Sequence, residues 1–181
     1  MITTTSLSWW HVFLFIGVIM LLVYIAEYYQ SKLFFLIASF IMIAVSGLRH
    51  GYIDTRAYRV GFETLNISSV LNLDFLLNGE AKDRGFSVIS AIIKLFSQDS
   101  QVFLFVFALI TVGCLLYGIE KNSVALTFSV FLFICTGCYL DTMNGMRQVF
   151  VSAILFAVGS KLIEEKKVVK YIIIPNKNDI F

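Results

Sequence analysis

Two short polar stretches of a largely apolar chain carry residue types suited to anion and sugar chemistry. The first, SGLRHGYIDTRAYRVGF at residues 46–62, holds three arginines, an aspartate, a histidine and two tyrosines directly after an apolar run. Arginine offers a bidentate fork to phosphate and tyrosine a flat face for stacking on sugars, while aspartate can orient an arginine or accept a hydroxyl proton. Arg49 alone has a structural explanation, because a cation is favoured where the C-terminal carbonyls of the preceding helix should lie. The mixture of Arg49, Asp54, Tyr58 and Phe62 at an expected membrane surface goes beyond that. The second stretch, DTMNGMRQVF at residues 141–150, places Asn144 as the natural N-cap of a helix and Arg147 at its third position. A cation near the positive end of a helix is unfavourable by about 0.3–1 kcal/mol, so helix stability does not explain Arg147. Free first-turn amides plus an arginine do suit a phosphate.

The elements that must position these residues are membrane helices. Of 181 residues 59% are hydrophobic, 15% aromatic and 14% charged, with one proline; soluble domains run near 25% charged, so the composition is that of a membrane protein. A bilayer core needs roughly 20 apolar helical residues, about 17 when flanking groups snorkel. Five stretches meet this, near residues 10–29, 32–48, 102–118, 123–140 and 148–163. The expected fold is therefore all-α, a single polytopic membrane domain of about five transmembrane helices. The first span lacks a basic leader and is too long for a cleaved signal, so it is expected to stay as an anchor, bracketed by Trp9, Trp10, Tyr28 and Tyr29.

Lysines after the first, third and fifth spans (Lys32, Lys121, Lys166, Lys167 and Lys170) put those connections in the cytoplasm by the positive-inside rule and the N-terminus outside. The long connection between Arg49 and Gln101 then faces outward, its six basic residues balanced by six acidic ones. Within it, residues 86–96 (FSVISAIIKLF) place Phe86, Ile89, Ile93 and Phe96 at helical spacing, with Ser87, Ser90 and Lys94 on a polar stripe. Such a helix reaches roughly 16 Å, half a bilayer, and reads as interfacial or re-entrant.

Other features narrow the function classes. A net charge of +2 with scattered basic residues excludes nucleic acid as a partner. Cys114, Cys135 and Cys138 lie in apolar runs, where a thiol acts as a small hydrophobe, so CTGC is not read as a metal or redox motif. NISS at residues 66–69 is too short a pattern to carry a role. A small transporter or flippase for an anionic or lipid-linked substrate would place ionisable groups at mid-span, whereas the span centres here are nearly free of charge. An assembly protein without chemistry is a third reading.

The ordered set GLRHGYIDTRAYRVGF, DRGFSVISAIIKLF and NGMRQVFVSAI resembles the EpsG-type, Wzy-like family of bacterial polysaccharide polymerases across about residues 46–157. Arg49, Asp54, Tyr58 and Phe62 match its first motif. Asp83, Gly85 and Phe86 match the second, with Arg84 in the variable place, and Asn144, Arg147 and Gln148 match the third. The resemblance implies a glycosyltransferase of the outer leaflet of the bacterial inner membrane. Donor and acceptor would be polyprenyl-diphosphate-linked glycans, with membrane lipid around the protein and other polysaccharide assembly proteins as further partners. It implies that arginines hold the diphosphate, with Arg49, Tyr58, Arg84, Asn144, Arg147 and Gln148 as substrate-binding residues. A carboxylate would act as base, Asp54 ahead of Asp83. No cofactor, nucleotide sugar or metal cage is expected. Family members usually continue through several more spans, whereas this sequence interrupts a sixth at IIIPNKNDIF, so a truncated copy or a fragment is expected.

Overall fold

The computed structural model describes residues 9–51, 54–70 and 84–164. Its regular elements are all helical: α1 (Trp9–Tyr28), α2 (Lys32–Gly47), α3 (Thr55–Thr64), α4 (Ile67–Val70), α5 (Arg84–Phe96), α6 (Ser100–Asn122), α7 (Leu126–Cys135), α8 (Cys138–Asn144) and α9 (Met146–Glu164). The chain is a polytopic all-α membrane protein. Within α1 and α6, Trp10–Tyr28 and Ser100–Asn122 are long and apolar enough to cross a bilayer on their own. At 16 residues α2 is shorter, and the apolar part of α9 within the described residues is Met146–Gly159.

The expected fourth span, residues 123–140, is not one straight helix. It is the pair α7 and α8, bent by 50°. Gly137 stands at the break with φ 85°, a left-handed conformation that a side chain would strain, so the sequence turns where it has a glycine. The turn also carries α8 on to Asn144, which is therefore the last residue of one helix and not the N-cap of the next. Gly145 takes that place: its carbonyl accepts the first intrahelical bond of α9, from the Val149 amide at 2.9 Å. Arg147 is then the second residue of the helix, still within its first turn.

Helix α6 is the central post, packed mainly against α9 and α2, while α1 lies outside against α2 and α7. Gly47 allows α2 to approach α6 closely, since a Cβ there would lie 2.7 Å from Phe105 Cδ2 and 3.0 Å from its Cα. One apolar core joins α1, α2, α6 and α7 through Ile19, Val23, Met42, Val112, Leu116 and Val130. Tyr139 of α8 enters it and donates its hydroxyl to the Met42 carbonyl at 2.7 Å. A second core lies at the other end of α6, where Phe103, Leu104 and Phe107 meet Phe62 of α3, Ile93 of α5 and Phe150 of α9.

Contacts between helix ends fix which connections share a side. The C-terminal end of α1 meets the start of α7, where the Glu27 carboxylate accepts from the Leu126 and Thr127 amides at 3.0 and 2.8 Å, and from the Thr127 hydroxyl. Position Ala125 before α7 has no oxygen to cap the helix, and Glu27 supplies the carboxylate that the helix dipole favours there. At the opposite end, Arg49 after α2 reaches Met146 at the start of α9, and Arg59 of α3 reaches Ser100 and Gln101 at the start of α6. The two polar stretches thus gather at one end of the bundle.

Candidate functional site

Helix α3 converts the first polar stretch into a face. Asp54 stands at its N-cap position, and Tyr58 and Phe62 follow at four-residue intervals, so the three side chains share one side of the helix. That side closes a cavity of about 390 Å³ with Phe86, Ser87 and Ser90 of α5, Phe103 of α6 and Arg147 of α9. The helix α5 predicted over residues 86–96 is present as Arg84–Phe96. Its serine stripe lines the cavity, although the Ser90 hydroxyl also donates to its own helix at the Phe86 carbonyl, 2.7 Å away.

The floor is aromatic. Phe62 stacks on Phe103 with ring centroids 4.5 Å apart, and Phe86 lies 4.7 Å from Phe107. Phe107 in turn meets Phe150 at 4.9 Å. Each motif therefore contributes one phenylalanine, from α3, α5 and α9, to the same end of α6, and this locks the three polar elements around one space. Above the floor the Tyr58 ring lies 6.1 Å from Phe86. The Arg147 guanidinium stands 6.0 Å from the Tyr58 centroid, at the outer limit of a cation–π contact.

Arg49 does not line the cavity. It is 8% exposed and acts beneath it as a joint. Its Nη1 donates to the Ser46 carbonyl at 2.7 Å and its Nε to Thr55 Oγ1 at 3.1 Å, while Nη2 lies 3.1 Å from Met146 Sδ. One side chain thereby ties the end of α2 to the beginnings of α3 and α9. Burial lowers the Arg49 pKa, with the neighbouring Tyr58 opposing and Arg59 adding to that shift; arginine starts so high that the group keeps its charge at every physiological pH.

Two further cations fasten α3 to its neighbours. Arg59 donates to the Gln101 side chain, to the Arg49 carbonyl at 3.3 Å and to Ser100 Oγ at 3.5 Å, while Gln101 donates to the Gly47 carbonyl at 2.6 Å. Lys94 of α5 donates to three carbonyls at the end of α3: Phe62 at 2.8 Å, Glu63 at 2.7 Å and Leu65 at 2.8 Å. A cation on the free carbonyls of a helix C-terminus opposes the negative end of its dipole. Neither role is legible locally, because Gln101 lies 42 residues from Arg59 and the α3 carbonyls lie 29 to 32 residues from Lys94; the only sequence signal is Lys94 on the same stripe as Ser87 and Ser90.

Of the residues singled out from sequence, Asp54, Tyr58 and Arg147 meet in the cavity, and Arg49 supports it from below. Asn144 is half-buried at the end of α8, its Oδ1 without a hydrogen-bond partner. Gln148 is exposed on the first turn of α9 and does not line the cavity. Asp83 lies outside the described residues, and of Arg84 only its backbone place, the first residue of α5, is described. Residues 165–181, with the interrupted sixth apolar run, also lie outside them. Among the described residues no three histidine, cysteine, aspartate or glutamate side chains gather into a metal-binding group.

The sequence pattern of the EpsG family matches residues 32–174. The chain belongs to the EpsG family. That match takes in every helix from α2 to α9, so all the elements lining the EpsG-family cavity lie inside it. No curated protein and no solved structure matches the chain.

Proposed function

We propose that this EpsG-family protein polymerises lipid-linked oligosaccharide repeat units into a surface polysaccharide, working at the outer leaflet of the bacterial inner membrane. The observation that carries this reading is the convergence of Asp54, Tyr58 and Arg147, from segments far apart in sequence, on one cavity at one end of the helix bundle. The donor is a polyprenyl-diphosphate-linked glycan, and the acceptor is a second lipid-linked unit. Arg147, on the first turn of α9, holds the diphosphate by charge and by its planar fork, and the first-turn amides add to the positive potential. Asp54 takes the proton of the acceptor hydroxyl as its oxygen forms the new bond to the anomeric carbon of the donor. The bond from that carbon to the phosphate oxygen breaks, and polyprenyl diphosphate leaves with the bonding electrons. Tyr58 offers its ring face to the sugar. The N-terminus then lies outside, which puts the cavity end of the bundle where lipid-linked units are presented, with other polysaccharide assembly proteins as neighbours.

Polymer length tests this reading in a strain that depends on the chain. Arg147→Ala is expected to leave single repeat units, and Arg147→Lys, which keeps charge but not the bidentate fork, to give short chains. Long polymer from both variants would remove Arg147 from the mechanism. A topology reporter placed near Arg84 is expected outside; a cytoplasmic signal would put the cavity on the wrong side of the membrane.

A further inference from the structure

Gly61 lies in the middle of α3, on the cavity lining between Ala57, Tyr58, Phe62 and Leu65. Glycine is the poorest helix former after proline, so its presence inside a helix calls for a reason. The usual structural reasons are missing, as they also are at Gly17 of α1 and Gly113 of α6; what sets Gly61 apart is its place on the cavity lining. Its backbone is helical, and among the described residues only Gly137 is a glycine with positive φ. A Cβ built on Gly61 meets nothing within 4 Å, so no neighbouring backbone needs the room. Gly47, where the same Cβ would strike Phe105, shows what a packing glycine looks like in this molecule. Gly61 thus adds no side chain to a lining that it shares with Tyr58, Phe86 and Ser87, and the position where one would start is open.

The size of the cavity decides what fills it. About 390 Å³ is near the lower end of the roughly 300–1,000 Å³ of small-molecule sites. A lipid-linked repeat unit with its diphosphate is far larger, so only its reacting end can enter. A ring with apolar faces and hydroxyl edges suits an aromatic floor, two serines and a carboxylate, whereas the diphosphate suits Arg147. Resting on the proposed function, we infer that Gly61 is the specificity-determining position for the donor: the space it leaves holds the one sugar ring bonded to the diphosphate. The remaining sugars of the repeat unit extend outside the cavity and are not read there.

The experiment measures lipid retention by the full chain in lipid nanodiscs, using two probes. One is the lipid-linked repeat unit extracted from a producing strain blocked in polymerisation; the other is the same lipid with its glycan removed. Wild type, Gly61→Ala and Gly61→Leu are compared, with thermal melting as a check on folding. Gly61→Ala is expected to melt at or above the wild-type temperature, since alanine is the better helix former and its Cβ meets nothing within 4 Å, and the melting of Gly61→Leu shows whether that variant folds. Retention of the glycan-bearing lipid is expected to fall stepwise with side-chain size, by about tenfold or more for leucine, while the bare polyprenyl diphosphate stays within about twofold. Equal retention of the glycan-bearing lipid by wild type and Gly61→Leu overturns the inference, as does equal weakening of both probes. If Gly61→Leu fails to fold, the alanine variant decides alone, and no drop in its retention of the glycan-bearing lipid overturns the inference. Wild type that retains neither lipid overturns the proposed function itself.

Discussion

Arg49 and Arg147 come from different polar stretches, stand at the same end of the bundle and sit in opposite settings. Arg49 is buried and bound to neutral groups of three helices, and it is not among the residues that line the cavity. Arg147 is exposed, sits at the helix end that disfavours its charge, and forms part of the cavity wall above Tyr58. Under the proposed function, the difference separates building from binding. A guanidinium that satisfies backbone and hydroxyl groups in a dry joint is fixed by the fold, and its loss is felt as stability. A guanidinium held against its own helix dipole at a cavity is suited to an anion, and under the proposed function its loss is expected to be felt as activity.

Arg49→Ala should show the larger effect on stability. It removes the bonds to Ser46 and Thr55 and opens a void, at a cost of about 2–4 kcal/mol, read as a lower melting temperature and a lower yield of folded chain. Arg147→Ala should change melting by about 0.5 kcal/mol or less while polymer length collapses. Equal destabilisation by the two substitutions would erase the distinction. Gly47→Val comes next, since its side chain would overlap Phe105 and force α2 from α6, costing about 1–3 kcal/mol and loosening the same joint from the apolar side.

Lys94→Met sharpens the comparison from the cavity wall. It keeps an apolar chain beside the Phe62 ring but leaves three carbonyls at the end of α3 without their cation, at a cost of about 1.5–3 kcal/mol. Because α3 and α5 both line the cavity, polymer should shorten without disappearing. The smallest effect is expected at the far end. Glu27→Gln weakens the cap of α7 by about 0.3–1 kcal/mol and should leave polymer length unchanged, because α7 contributes nothing to the cavity. A polymer defect there would mean that the two ends of the bundle are coupled.

The apolar periodicities carried most of the fold. The positions of α1, α2, α5, α6 and α9 follow from runs of apolar residues whose lengths match a bilayer or half of one, and the alternation of sides places both polar stretches together. Asp54, Tyr58 and Phe62 share a face because they recur every four residues, which any helix at that place converts into a line. What stayed hidden depends on contacts distant in sequence. CTGC reads as a continuous span until Gly137 is seen in its left-handed conformation, and the extended α8 that results moves the cap of α9 from Asn144 to Gly145. The burial of Arg49 is set by Thr55 and Met146, and the role of Arg59 by Gln101; no local pattern specifies either pairing. Gly61 carries a sequence signal, a glycine inside a polar amphipathic helix, that gains meaning only beside the cavity.

The most direct test of the division between building and binding is retention of polyprenyl diphosphate by purified full-length protein in nanodiscs, compared among wild type, Arg147→Ala and Arg147→Lys at matched melting temperatures. Loss of the lipid by about tenfold or more in Arg147→Ala, with partial retention in Arg147→Lys, is the expected result. Retention by Arg147→Ala equal to wild type would contradict the assignment of the cavity to a lipid-linked diphosphate.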